Sequence, residues 1–410
     1  MSSQASVRWR HVATWLLVIA AAGLFWREAS FLIGLHTPLN GVFQDLTGRV
    51  RNIEALRRTG NIYRSFQSEA FTYPPGAIGF FRPLQWTTKA ARDFYWTVAS
   101  LLALMTLLAI VFRRATSWPL STSWLVGGVV AIITAVGCNP VLECLQWGQT
   151  GLLLQLLIVV DVLVVPTRYR GVLLGPAIAI KLFPALFLVA FALRREWRTV
   201  KMAIASAALI TATSACLWPT SAWYFVRTIV LGGNEFSHFN TPSNLVNDTS
   251  IAAFLNRGPF FNGTEPQLAR YAICLALALG GLFVAHRAWR AGYDVTSLCV
   301  LLITDAAALP NAWIHYDVFV PLLFAATLEL RPRRVSIAIV LLTLGLCVPW
   351  VYFRKISGVS VWHMAELRVI YDADAALALS IVLAVGLFLP APARGARRRR
   401  NARSPALHLR

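Results

Sequence analysis

Charged residues are scarce in this sequence, and acids are scarcer than bases. Asp, Glu, Lys and Arg together make up 14% of the 410 residues, and 38 Lys and Arg stand against 18 Asp and Glu. Hydrophobic residues make up 57%, so a soluble domain of this composition would expose large apolar patches. The apolar residues instead form repeated runs of about 20 residues, which are typical of helices that cross a membrane.

Three signatures of metal or nucleotide chemistry are also missing. The six cysteines form no CxxC pair and no Cys/His cluster, so we expect them to be small core residues and predict no metal centre. The first polar segment contains no Asp-x-Asp, which argues against a divalent ion. No glycine-rich phosphate loop follows a strand, which argues against a nucleotide-sugar donor. The sequence therefore predicts no cofactor.

The positive charge is distributed in a way that indicates membrane topology. The formal net charge is +20, but most Arg clusters lie at the ends of apolar runs, as expected of cytoplasmic loops. This pattern argues against nucleic acid as a partner. Arg8 and Arg10 precede the first run, and a basic tail at 394–410 contains Arg397 to Arg400, so we expect both termini in the cytoplasm. The tail is also suited to contact anionic membrane lipids.

We predict an all-α, polytopic protein of the plasma (inner) membrane. Its single multispan domain, 1–393, contains about ten full transmembrane helices and one broken or re-entrant pair. The first run, Val12 to Trp26, also fits a signal peptide, although multispan proteins more often keep such a run as their first helix. Two long polar segments, 36–92 and 219–264, are expected on the external side, which is periplasmic or extracytoplasmic. The polar stretch from Glu143 to Gln149 is expected to be a short external turn.

The first external segment contains one clear helical pattern, from Gln44 to Gly60. Apolar residues recur at helical spacing, and the glycine is a typical C-terminal stop. The opposite face carries Arg49, Arg51 and Arg58. We expect this basic amphipathic helix to lie on the membrane surface with its arginines toward lipid headgroups.

The stretch from Gly171 to Leu193 is unusual because basic residues flank it at both ends. Lys181 lies in the middle of its apolar run, and Pro184 interrupts a helix there. We interpret the stretch as a broken or re-entrant pair of half-helices with Lys181 near the apex, where a lysine needs a partner or an anion. The alternative is a lysine that snorkels from a helix end or pairs with a buried acid.

Several polar motifs follow one another along most of the chain. In order they are Asp45, Gly60-Asn61-Ile62-Tyr63, Phe71-Thr72-Tyr73-Pro74-Pro75, Trp147-Gly148-Gln149, Ile180-Lys181-Leu182-Phe183-Pro184, Arg194-Arg195, Asp248-Thr249-Ser250-Ile251, Arg257 and Leu309-Pro310-Asn311-Ala312-Trp313-Ile314-His315. As an ordered set they resemble glycosyltransferase family 87, the polyprenyl-phosphate-mannose-dependent mannosyltransferases of the membrane glycosyltransferase C superfamily.

The chain departs from the family's pattern at three motifs. Gly151 stands where the family's Gly-Gln-x-Asn motif has Asn. Asp248-Thr249-Ser250 replaces its Asn-Gln-Ser, and Tyr316 replaces the second His of its Trp-x-His-His corner.

The resemblance implies a glycosyltransferase C-like fold and the transfer of a hexosyl or pentosyl residue, of mannosyl type, from a polyprenyl-phosphate sugar to a glycolipid or glycan acceptor. It also implies an external active site and inversion at the anomeric carbon, with Asp45 as general base. Direct displacement requires one carboxylate, whereas a retaining double displacement usually also requires a nucleophile. The alternative role for Asp45 is an N-cap of the helix that follows it.

The other candidate site residues are assigned to the donor. They are Lys181, Arg257, His315, Gln149, Tyr73 and Asp248. The two cations among them are suited to the phosphate, and the remaining side chains to sugar hydroxyls or the phosphate. Alternatively, Arg257 is a surface arginine that faces headgroups and His315 is a hydrogen-bonded structural residue.

Two other classes of protein remain open. A transporter or flippase of a polyprenyl-linked sugar or lipid would also use a broken helix and a lysine within the membrane. The sequence shows no convincing repeat between its halves, which argues against that class. A structural or assembly protein would have no reason to bring the polar candidates together, so their mutual distances distinguish it from an enzyme.

Overall fold

The computed structural model describes residues 43–64, 71–231, 267–309, 316–330 and 333–347, together with residues 382, 385 and 386. The described residues form helices and no strand, which confirms the all-α prediction for this part of the chain. The α-helices are α1 Gln44–Thr59, α2 Gly76–Phe81, α3 Lys89–Thr116, α4 Leu120–Gly137, α5 Asn139–Trp147, α6 Gly151–Leu163, α7 Leu174–Ile180, α8 Leu186–Leu193, α9 Trp197–Leu217, α10 Pro219–Tyr224, α11 Gln267–Arg290, α12 Asp294–Ala307, α13 Leu322–Glu329 and α14 Arg333–Cys347.

Four of these helices are long and apolar enough to cross a membrane: α3, α4, α9 and the 271–290 portion of α11. A fifth crossing is possible if α5 and α6, which meet at an angle of 116°, count as one broken span. The first apolar run, Val12 to Trp26, lies outside the described residues, and after residue 347 only 382, 385 and 386 are described. The total of about ten spans therefore stays a prediction.

Helix α3 is central to the packing of the bundle. It contacts α4, α6, α12 and α13, and its buried face includes Leu104, Leu107 and Leu108. Helix α4 approaches it closely at Gly127, where an added Cβ atom would lie 2.7 Å from the backbone nitrogen of Ala109. Small residues at such contacts are typical of helices that pack within membranes.

Helix α1 has the bounds that the sequence predicts, but its environment differs from the prediction. Its N-cap position is held by Phe43 in the left-handed conformation (φ 57°), and its C-cap is Gly60 (φ 69°). The apolar face is buried in the protein core, with Leu46, Ile53 and Leu56 among its members. Arg49 is buried as well, so the expectation that it faces headgroups is wrong, whereas Arg51 and Arg58 are exposed.

The polar stretch before Gln149 is a helix, although the sequence suggested an external turn over 143–149. Helix α5 begins at Asn139, and Pro140 occupies the first turn, where its missing N–H costs no hydrogen bond. The helix ends at Gly148, which adopts a left-handed conformation (φ 66°). This glycine reverses the chain direction before α6 begins.

The predicted break at Lys181 is confirmed. Helix α7 ends at Ile180, Lys181 is extended (φ −149°, ψ 124°), and a 3-10 turn over Phe183–Ala185 leads into α8. The start of this segment is held by Asp161 of α6, whose carboxylate oxygens accept hydrogen bonds from the backbone of Gly171 (2.7 Å) and Leu173 (2.9 Å). Whether the segment re-enters the membrane stays a prediction.

The close contact between α3 and α4 yields a test with an internal control. We expect Gly127→Ala to lower the free energy of unfolding by about 1–3 kcal/mol, because the new methyl group collides with rigid backbone. At Gly128 an added Cβ would meet only the flexible Met105 side chain, at 3.6 Å. Gly128→Ala should therefore be neutral or stabilising by up to about 1 kcal/mol. Thermal unfolding of the purified protein in detergent measures both, and equal midpoints for the two variants would contradict this packing.

Candidate active site

Asp45 lies in the first turn of α1, one residue after the start of the helix. The N-cap residue is Phe43, and no side chain caps this end, so the N-cap role for Asp45 is wrong. Its Oδ2 atom accepts a hydrogen bond from Nε2 of Gln149 and lies 3.7 Å from Nη2 of Arg49. The side chain remains 30% exposed. Within the described part of the chain both contacts fall on Oδ2, which leaves Oδ1 for an incoming group.

Gln149 reaches Asp45 because the turn between α5 and α6 is packed against the start of α1. The backbone N–H of Phe43 donates to the carbonyl of Gln146 at 2.6 Å. A Cβ atom at Gly148 would lie 2.7 Å from Cβ of Leu46, so only glycine permits this approach. Gln149 itself is buried, and its backbone N–H donates to the carbonyl of Cys144.

Tyr73 completes a hydrogen-bonded chain that ends at Asp45. Its hydroxyl donates to Oε1 of Gln149 at 3.3 Å, which leaves the amide Nε2 to donate to the carboxylate. The Tyr73 backbone is held in turn, because its carbonyl accepts from the hydroxyl of Tyr63 at 2.8 Å. Its ring packs against those of Phe71 and Phe81, at centroid distances of 5.8 and 5.3 Å. Each of these contacts restricts the orientation of the carboxylate.

Lys181 brings a cation to the same place from the break between α7 and α8. Its Nζ atom lies 3.8 Å from the ring centroid of Tyr316, 5.5 Å from that of Tyr73 and 5.6 Å from that of Phe183. Contacts of this kind stabilise a cation by up to about 2 kcal/mol when water is excluded. Asp45 is close enough to interact electrostatically with the ammonium group.

Arg49 is a site residue that the sequence reasoning missed. It is buried, pairs with Asp45 and places its Cζ atom 4.9 Å from the ring centroid of Tyr73. The spacing of four residues from Asp45 was the available signal, because side chains at i and i+4 share a helix face. Tyr316 was noted only as a departure from the family pattern, and no local signal places its ring on Lys181.

The pKa of the Asp45 carboxyl is raised above its ordinary value. Burial is the largest cause, because it disfavours the charged form. The positive charges of Arg49 and, more weakly, Lys181 oppose this and lower the pKa, without cancelling the effect of burial. A carboxylate with a raised pKa accepts a proton more readily, which suits a general base.

Four of the seven predicted site residues therefore come together: Asp45, Tyr73, Gln149 and Lys181. The other three, Arg257, His315 and Asp248, lie outside the described residues, and their roles stay predictions. In the part of the chain that the structure describes, no group of three or more His, Cys, Asp or Glu side chains is placed to hold a metal ion.

Comparison with known proteins identifies a family and three related enzymes. A model of glycosyltransferase family 87 matches residues 71–310. A polyprenol-phosphate-mannose-dependent alpha-(1-2)-phosphatidylinositol mannoside mannosyltransferase of Mycobacterium tuberculosis is 28% identical over 330 residues, covering 73% of this chain and 75% of the relative. The protein of the same name from Mycolicibacterium smegmatis is 29% identical over 295 residues, covering 67% and 65%.

A third relative has a phosphatidylinositol pentamannoside in its name. It is a polyprenol-phosphate-mannose-dependent alpha-(1-2)-phosphatidylinositol pentamannoside mannosyltransferase of Mycolicibacterium smegmatis, 29% identical over 229 residues, which are 52% of this chain and 51% of the relative. No solved structure matches the chain significantly.

The reassignment of Arg49 can be tested by a double-mutant cycle on the free energy of unfolding. We expect a coupling of about 0.5–1 kcal/mol between Asp45→Asn and Arg49→Gln, which is modest because the carboxylate is partly exposed. Asp45→Asn with Arg51→Gln is the matched control, since Arg51 is exposed on the same helix, and its coupling should be close to zero. Equal coupling energies in the two cycles would contradict the inward orientation of Arg49.

Proposed function

The chain belongs to glycosyltransferase family 87, and we propose that it transfers a mannosyl-type residue from a polyprenyl-phosphate donor to a glycolipid acceptor. It is a polyprenyl-phosphate-sugar-dependent glycosyltransferase, in keeping with the names of its relatives. Those names also indicate the class of acceptor, a phosphatidylinositol mannoside or a similar glycolipid. The observation that carries the proposal is the placement of Asp45 beside Lys181, on an ordered chain of hydrogen bonds.

In the proposed reaction Asp45 is the general base. A hydroxyl oxygen of the acceptor attacks the anomeric carbon of the donor while Oδ1 of Asp45 takes the hydroxyl proton. The bond between the anomeric carbon and the phosphate oxygen breaks, and its electron pair leaves with polyprenyl phosphate. One displacement at one carbon inverts the configuration, and it requires no second carboxylate.

Lys181 is proposed to receive the leaving phosphate. Negative charge grows on the phosphate as the bond breaks, so a fixed ammonium group stabilises the transition state more than the ground state. The three aromatic rings around Lys181 hold its position without neutralising its charge. We retain Arg257, Asp248 and His315 as proposed donor-binding residues.

Tyr73 and Gln149 are proposed to position the base. Both side chains were expected to bind sugar hydroxyls, but their polar atoms are engaged with each other and with Asp45. This arrangement supports a positioning role in which Gln149 holds Oδ2, so that Oδ1 is presented to the acceptor. Preorganised contacts of this kind lower the reorganisation needed during reaction.

We further propose that the reaction occurs at the external face of the plasma membrane, with both chain termini in the cytoplasm. The distribution of arginines at the ends of apolar runs supports this orientation. The proposed donor is itself a membrane lipid, so it reaches the site from the bilayer. The convergence of Asp45, Tyr73, Gln149 and Lys181 favours chemistry over transport, and no observation specifically favours a flippase.

The role of the base predicts the behaviour of Asp45→Asn. Substitution should leave folding intact and lower turnover by roughly 100-fold or more, because the amide cannot take the proton that the carboxylate is proposed to accept. The assay uses protein reconstituted in liposomes with a panel of polyprenyl-phosphate sugars and a glycolipid acceptor, and follows released polyprenyl phosphate by mass spectrometry. Glu54→Gln, an exposed acid on the same helix, is the control and should retain activity. Substantial turnover by Asp45→Asn would remove Asp45 from this role.

The raised pKa of Asp45 predicts the pH dependence of kcat/KM. Asp45 acts in its deprotonated form, so activity should rise with pH through its pKa, and that acid limb should lie above about pH 4, the ordinary value for Asp. Arg49→Gln removes the larger of the two charges that lower this pKa and should move the limb to higher pH. Among the described residues, the other ionisable groups near the carboxyl are Lys181 and Tyr73, and the substitution alters neither. An acid limb that moves to lower pH would be inconsistent with the site described.

A further inference from the structure

The site contains two cations that share the ring of one tyrosine. The Cζ atom of Arg49 lies 4.9 Å and the Nζ atom of Lys181 5.5 Å from the ring centroid of Tyr73. Both cations interact electrostatically with Asp45. They come from distant parts of the chain, since Arg49 is on α1 and Lys181 is in the break after α7. Such a pairing of like charges costs electrostatic energy, and an anion that contacts both cations lowers that cost.

The ammonium group of Lys181 lies within electrostatic range of one like charge and one opposite charge: Arg49 repels it and Asp45 attracts it. Asp45 is already paired with Arg49 through Oδ2, so its charge is shared between the two cations. An anion placed against Arg49 and Lys181 would relieve this repulsion.

We propose that Arg49 is a second cation of the donor-phosphate site and binds the phosphate together with Lys181. This inference rests on the proposed function and names a residue that the sequence pattern had assigned to the membrane surface. A guanidinium carries five N–H donors in a planar fork, so its pairing with Asp45 through Nη2 is compatible with simultaneous contact to phosphate oxygens. Arginine is also the side chain best suited to grip a phosphate through two parallel hydrogen bonds.

In this placement Arg49 acts on two groups, the base and the leaving phosphate. It holds Oδ2 of the base in the resting site and supplies positive charge where the phosphate departs. The guanidinium therefore fixes the distance between base and leaving group. Lysine at this position would keep the charge but lose the fork.

The test measures phosphate recognition in a background that lacks the carboxylate. Arg49→Gln alone would unmask the charge of Asp45 and repel any anion indirectly, so the comparison is made in Asp45→Asn protein. The full-length chain in detergent is titrated with a short-chain polyprenyl phosphate and with the polyprenol of the same length. The ratio of the two affinities isolates recognition of the phosphate from recognition of the lipid.

We expect Asp45→Asn protein to prefer the phosphate and the Asp45→Asn/Arg49→Gln double variant to lose about 10- to 100-fold of that preference, which corresponds to one charge-assisted contact. Affinity for the polyprenol should be unchanged, which shows that the fold is retained. Asp45→Asn/Arg51→Gln is the matched control and should behave as Asp45→Asn does. If Asp45→Asn/Arg49→Gln keeps the phosphate preference of Asp45→Asn, the inference is overturned. A purely structural pairing of Arg49 with Asp45 predicts that result.

The result of this test for Arg49 is independent of whether the proposed glycosyl transfer is observed. A phosphate preference that depends on Arg49 supports the inference even if no donor in the panel is turned over. Conversely, donor turnover that depends on Asp45, combined with an unchanged preference in the double variant, overturns the inference and leaves the proposed function intact.

Discussion

The described site depends on one largely buried carboxylate that pairs with Arg49 and lies within electrostatic range of Lys181. Burial opposes the charge of Asp45, and Arg49 and Lys181 favour it. A carboxylate balanced in this way stays available as a base and is more basic than one in water. The three groups come from α1 and from the break between α7 and α8, so the balance exists only when these segments are docked correctly.

The docking is achieved by backbone features and not by the charges themselves. Gly148 allows the α5–α6 turn to touch α1, and this brings Gln149 to the carboxylate. The extended conformation of Lys181 turns its side chain out of the helical path. Tyr73 joins the two features, because its hydroxyl binds Gln149 and its ring contacts both cations. A substitution at any of these positions would change the position or the surroundings of the Asp45 carboxylate.

Part of this arrangement could be predicted from the sequence because it depends on local rules. Glycine is a typical helix end and proline interrupts a helix. The end of α1 at Gly60 and the break near Lys181, before Pro184, were therefore predicted. The orientation of Arg49 could not be predicted in this way. An amphipathic pattern separates the two faces of a helix, but it does not show which part of the protein or membrane each face contacts. The helix at α5 was missed because Glu143, Gln146 and Gly148 are equally typical of a polar turn. The contact of Tyr316 with Lys181 joins residues far apart in the chain, which no local pattern encodes.

Membership of glycosyltransferase family 87 gives the reaction class, and the geometry supports the proposed roles of the chain's own residues. The most direct measurement is a cryo-electron microscopy structure of the Asp45→Asn variant in a lipid nanodisc with an intact polyprenyl-phosphate sugar. The account predicts the donor phosphate against Lys181 and Arg49, with the anomeric carbon facing the side chain at position 45. A donor bound with its phosphate away from both cations, or with the side chain at position 45 turned away from the sugar, would contradict it.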